Sequence, residues 1–220
     1  MPDGRPHGVT WHYDRAELVA DGVIHVLGAV FAVFAAGALI GVALYRAELA
    51  TVSALAVYAA SLVAVIGCSA AYNMWPVSRT KWLLRRFDHA AIFMLIAGTY
   101  TPFMIHAATP TAHAMLAGVW IAGFAGAALK LLAPGRFDRV TVFLYLAIAW
   151  SGVLVAHQVF AVLPTAAIVL LVAGGLIYTF GVVFHLWHSL RFQNAIWHGF
   201  VLVAAGCQYA AVLNGVLLSA

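Results

Sequence analysis

Residues 85–103 read RRFDHAAIFMLIAGTYTPF: two arginines, an aspartate and a histidine stand at the threshold of an apolar run that carries no further charge. A run of this kind is what a helix needs to cross lipid, where every backbone N–H and C=O must be satisfied within the segment. Asp88 opens two readings. It is a solvent-facing cap whose carboxylate accepts first-turn amides, or it is held in a pocket, where a buried charge needs partners.

The pattern recurs along the chain. Seven stretches are apolar enough and long enough to span: 23–45, 50–74, 89–107, 112–132, 139–159, 164–187 and 195–218. Each supplies about the 20 residues that a 1.5 Å rise needs to cover roughly 30 Å of hydrocarbon. Runs such as LAVYAASLVAVIG do not alternate, which argues against a transmembrane barrel. Of the 220 residues, 65% are hydrophobic and 8% charged, and the mean hydropathy is +1.00, so too few charges exist to clothe a water-soluble surface. The expected class is therefore all-α: an integral membrane seven-helix bundle in one domain over 23–218, preceded by a cytoplasmic amino-terminal segment, 1–22.

Charge sets the expected orientation. With seven spans, Arg5, Arg15, Arg79, Lys81, Arg85, Arg86, Lys130, Arg136, Arg139 and Arg191 share one side, and only Arg46 of the 11 basic residues falls opposite. That side should be cytoplasmic, with the amino terminus inside and the carboxyl terminus external. The cluster SRTKWLLRR is expected to anchor a loop near anionic headgroups, and a nucleic-acid partner is not implied. Trp75, Trp82, Trp187 and Trp197 fit an interfacial belt. The start of the chain, with four acids and two arginines before the first apolar stretch, is a poor signal peptide. Cys68 and Cys207 lie inside spans, which argues against a secreted disulfide framework. Gly and Ala in GALIGVAL, AGVWIAGFAGAA and LVAGGLIYTFG permit close helix approach.

The spans also place polar residues in depth. Glu17, Asp21 and His25 precede or enter helix 1; Ser69, Tyr72 and Asn73 end helix 2; Asp88 and His89 open helix 3; His185 and His188 end helix 6; Asn194 and His198 open helix 7. Asp21 with His25, Ser69 with Asn73, and Asn194 with His198 are i,i+4 pairs that share a helical face, and His185 with His188 is an i,i+3 pair. A bundle that turns these faces inward makes a polar pocket at one membrane depth. The bland alternatives are core hydrogen bonds for His198, a packing pair for Asp21 and His25, an interfacial place for His89, His185 and His188, and a bond from Ser69 to a preceding carbonyl. On the outer side His106, His113 and His157 are scattered, with no serine triad, phosphate loop or HExxH.

The stretches E17-LVA-D21-GVI-H25-VLG, CSAAYN, DHAAIFMLIAGTYTPF and NAIWHGFVLVAAGCQY resemble the bacterial hemolysin III branch of the progestin and adipoQ receptor family, over about residues 17–218. The resemblance implies a multi-pass bundle in the bacterial cytoplasmic (inner) membrane with its amino terminus inside. It also implies a zinc centre in members that keep three histidines, one from SxxxH in helix 2 and two from HxxxH in helix 7, with the helix 3 aspartate near metal-bound water. Ser69, Asp88 and His198 match that pattern. Asn73 and Asn194 stand where it has histidines, and Gln208 where a further one is often found. On the resemblance, Ser69 and Asp88 are candidate catalytic residues, Asp88 and His198 candidate zinc ligands, and Asp21, His25, Asn73, His185 and Asn194 further pocket residues. The expected role is membrane-lipid homeostasis or sensing, with membrane lipids as partners. The alternatives are metal-dependent hydrolysis of a lipid amide or ester, and pore formation or transport; polarity gathered at one end disfavours conduction.

Overall fold

The computed structural model describes residues 11–135 and 137–218. Arg5 and Arg136 of the orientation count, and residues 1–10 of the expected amino-terminal segment, lie outside the described residues. Seven helices are long and apolar enough to cross a membrane, and there is no strand among the described residues. They are α1 (Arg15–Arg46), α2 (Leu49–Met74), α3 (Arg79–Ala107), α4 (Pro110–Leu132), a fifth span built from α5 (Asp138–Trp150), a 3-10 turn (Ser151–Val155) and α6 (Ala156–Phe160), then α7 (Thr165–Leu186) and α8 (Gln193–Val212), which closes in a π turn (Leu213–Leu217). Successive spans pack on one another, and α1 closes the ring against α8.

Two helices begin earlier than hydropathy suggests, each because of a cap. Asp14 and Glu17 form a reciprocal capping box, Glu17 N donating to Asp14 Oδ1 and Asp14 N to Glu17 Oε2, both at 2.9 Å, so α1 starts at Arg15 and carries Asp21 inside its first turns. Ser78 caps α3 by accepting from Lys81 N at 3.3 Å. Asp88 therefore lies well inside α3 and is not its cap. The inward stripe of α1 runs Asp21, His25, Gly28, Ala32, Ala35, Leu39 and Ala43, a 3–4 spacing that puts the acid and the histidine on the face the core claims.

The fifth span breaks where apolar composition gives no warning. Tyr100 Oη accepts from Gly152 N at 2.6 Å and donates to Ala149 O at 2.8 Å, and Ser151 Oγ donates to Ile148 O at 2.7 Å. Side chains thus serve the backbone groups that the interrupted helix leaves open, as lipid requires. Glycine is needed there, since a Cβ on Gly152 would stand 2.9 Å from that hydroxyl.

Small residues are packed in all three expected stretches. A Cβ on Gly126 would run into the Phe93 ring, and one on Gly181 would stand 2.9 Å from Phe200 Cβ. In GALIGVAL, Gly37 and Gly41 meet nothing within 4 Å, and the small residue on the inward stripe of α1 is Ala43, 0% exposed.

Two cations of the basic cluster have partners within the protein. Lys81 is 0% exposed; its Nζ donates to the carbonyls of Tyr72, Asn73 and Trp75 at 2.7, 3.1 and 2.9 Å, closing the carboxyl end of α2, and lies 3.7 Å from the Trp11 ring centroid. Arg85 Nη2 pairs with Asp138 Oδ2 at 2.8 Å. Arg79 of the same cluster is exposed, whereas Lys81 and Arg85 satisfy protein acceptors inside the bundle. Trp82 is likewise buried, beside Trp11, whereas Trp75 and Trp187 are exposed as a belt requires.

Lys130, also buried, places Nζ 2.6 Å from Asp138 Oδ1. Burial pushes the Asp138 carboxyl up, but Arg85 and Lys130 outweigh it and hold the group at about 2. Asp138→Asn leaves Lys130 without its charge partner. With the carboxylate 34% exposed, solvent discounts the usual cost of breaking a buried pair, and a loss of roughly 1–3 kcal/mol is expected. The pair's contribution is complete above the unfolded carboxyl value near 4 and fades as pH falls toward 2. Thermal melts in detergent should show the gap between parent and Asp138→Asn constant at neutral pH and closing below about pH 4.

Candidate functional site

At the end of the bundle where α1 and α8 begin and α2 ends, five of the sequence candidates form one buried network around Asp21. Its Oδ1 accepts from His198 Nδ1 at 2.6 Å, and its Oδ2 accepts from Asn194 Nδ2 at 2.9 Å. The same Asn194 nitrogen reaches Asn73 Oδ1 at 3.1 Å. His25 Nδ1 lies 2.8 Å from Asp21 O and 3.6 Å from Oδ2, with its ring 4.4 Å from that of His198 in an edge-on arrangement. Ser69 completes the network: its Oγ is 3.2 Å from His25 Nε2, and Asn73 Nδ2 donates to Ser69 O at 2.9 Å. The i,i+4 pairs named above do share faces, and each pair's spacing delivers two side chains to the same place.

The local cause is the docking of the amino-terminal turn onto α8. Glu17 Oε1 accepts from Phe192 N at 2.9 Å, Arg191 Nη2 meets Asp14 Oδ2 at 3.1 Å, and Tyr13 Oη donates to Gln193 Oε1 at 3.4 Å. This fixes the register of α1 on α8, so that Asp21 falls opposite Asn194 and His198. Gln193, 4% exposed and also donating to His185 O at 3.1 Å, is a joint that sequence reasoning missed. Polar glutamine immediately before an apolar run was the available signal.

Other candidates stand apart. Asp88 is buried, with Oδ2 4.0 Å from His89 Nε2; it feels the charge of His198 and the Ser69 hydroxyl, but the group with converging ligand atoms is Asp21, His25 and His198. His185 has its ring 4.9 Å from that of Trp197, and His188 lies exposed beyond the end of α7, so the two do not share a helical face. Gln208 donates to Leu171 O at 3.2 Å, joining α8 to α7.

The zinc set implied by the resemblance does not fit these residues. The amides of Asn73 and Asn194 are engaged with each other, with the Ser69 backbone and with Asp21, and an amide oxygen is a poor substitute for an imidazole nitrogen on Zn²⁺. With two of three histidines replaced, no chemical step through that set is available.

Comparison with known proteins agrees with the fold and the motifs. The family model described as "Haemolysin-III related" matches residues 15–209. The chain is 32% identical over 205 residues to "Hemolysin-3" of Bacillus cereus, covering 93% of this chain and 94% of that protein. It is 30% identical over 198 residues to the "Hemolysin-3 homolog" of Bacillus subtilis strain 168, covering 90% and 93%. It is also 30% identical over 163 residues to the human "Monocyte to macrophage differentiation factor", covering 71% and 67%. With seven spanning helices and a match across nearly its whole length, the chain is a multi-pass membrane protein that belongs to the haemolysin-III related family.

Proposed function

We propose that the protein serves membrane-lipid homeostasis or sensing, with its polar network at the cytoplasmic leaflet and its amino terminus inside. The observation that carries this reading is the burial of Asp21, 5% exposed, among His25, Asn73, Asn194 and His198 where α1, α2 and α8 meet. A carboxylate sunk in a membrane bundle costs free energy that apolar packing would avoid, so its retention argues for a role beyond packing. Another face of α8, with Ile196, Gly199, Phe200 and Val203, lines together with Ile177 of α7 an apolar groove of about 440 Å³. A groove of that lining suits a hydrocarbon chain better than a soluble metabolite.

The test compares a strain lacking the gene with strains complemented by the parent or by Asp21→Asn at equal membrane abundance. Lipid composition and membrane order should shift on deletion and return with the parent but not with Asp21→Asn. Unchanged lipids and order on deletion would remove the proposal. A carboxyl-terminal reporter active in the cytoplasm would overturn the orientation.

A further inference from the structure

We infer that Asp21 and His25 of α1, together with His198 of α8, bind a zinc-type divalent cation. One oxygen of Asp21 and one nitrogen from each histidine lie within 4.8 Å of one another. Two imidazoles and one carboxylate are a complete protein set for a zinc ion that keeps a water in its fourth position. The three side chains converge: Asp21 and His25 share a face of α1, and His198 meets the same carboxylate from α8 through a 2.6 Å hydrogen bond that a bound cation would replace.

The residues around the set have the form expected of ligand supports. Asn194 holds the second carboxylate oxygen at 2.9 Å, and Ser69 Oγ stands 3.2 Å from His25 Nε2. Such outer contacts fix ligand orientation and tune affinity. Charge points the same way. With neutral imidazoles the network carries one negative charge, its acid and both histidines nearly closed to solvent, with side-chain exposures of 7%, 4% and 11%. A dication satisfies that charge without requiring a second proton on either ring. Asn194, at one of the positions that spoil the three-histidine set, holds Asp21 in place, and Asn73 in turn accepts from Asn194 at 3.1 Å. The inference stands or falls on metal binding, independently of the lipid role.

The full-length protein, purified in detergent and stripped with chelator, is titrated with Zn²⁺ and Co²⁺. One ion per chain should bind, with Co²⁺ giving visible ligand-field bands that Zn²⁺ removes. Asp21→Asn, His25→Gln and His198→Gln should each weaken binding by at least roughly 100-fold, and Asn194→Ala by roughly 10–100-fold. His113→Gln should bind within about threefold of the parent, because its exposed ring lies at the start of α4, at the opposite end of the bundle. A second variant guards against loss by misfolding: His25→Cys keeps a ligand and should add a thiolate-to-cobalt charge-transfer band absent from the parent. No stoichiometric binding by the parent, binding that survives Asp21→Asn, or a cobalt spectrum that His25→Cys leaves unchanged would each overturn the assignment.

Discussion

Lys81→Met is expected to lower the stability of the protein in detergent by about 3–4 kcal/mol, a drop of roughly 10 °C in melting midpoint for a chain of this size. The three carbonyls that its ammonium serves, those of Tyr72, Asn73 and Trp75, belong to the last turn and cap of α2 and have no helical partner of their own. Methionine keeps the packing against Trp11 and Tyr72 but leaves those acceptors empty in a dry place. The effect is one of geometry as well as charge. An ammonium offers three diverging N–H groups, whereas a guanidinium is a flat fork, so Lys81→Arg should recover less than half of the loss. Equal stability for the parent and Lys81→Met would mean that the lysine merely fills space.

Lys81 also shows what periodicity cannot disclose. In SRTKWLLRR every cation has the same claim to headgroups, and only the return of α3 past the end of α2 selects Lys81 for burial. The aromatic residues around it, Trp11, Tyr72 and Trp82, are the nearest thing to a signal. They read equally well as a belt. The seven spans were legible because lipid imposes length and apolarity on each one separately. The starts at Arg15 and Arg79 were not, since caps rest on one or two side chains that a hydropathy window averages away. The break at Ser151–Val155 was hidden for a related reason: its compensation comes from Tyr100 on another helix.

The polar site was legible in depth and on each helix, but not in pairing. Spacing at i,i+4 correctly placed Asp21 with His25, Ser69 with Asn73 and Asn194 with His198 on common faces. Whether His198 turns to Asp21 or to Asp88 depends on which helices are neighbours and in what register. That register is set by contacts such as Glu17 to the Phe192 amide, made by a residue whose local role is to cap. The resemblance names Asp88 with His198 as candidate zinc ligands; in the structure the Asn194 amide and the His198 ring both meet Asp21, and Asn73 meets Asn194.

The pairing has a direct energetic consequence. In chelator-containing buffer, Asp21→Ala and His198→Ala should each cost about 2–4 kcal/mol, the first by orphaning an imidazole and an amide, the second by leaving a buried carboxylate short of its 2.6 Å donor. The double variant should cost well under the sum, giving a coupling of about 1.5–3 kcal/mol, as expected for groups in one hydrogen-bonded network. The same cycle between Asp88→Ala and His198→Ala should give less than half that value, because no hydrogen bond joins them and only a longer-range field does. Denaturation midpoints of the six proteins decide the matter. If the larger coupling belongs to Asp88, α1 does not supply the partner of His198, and the metal set inferred on α1 loses its foundation with it.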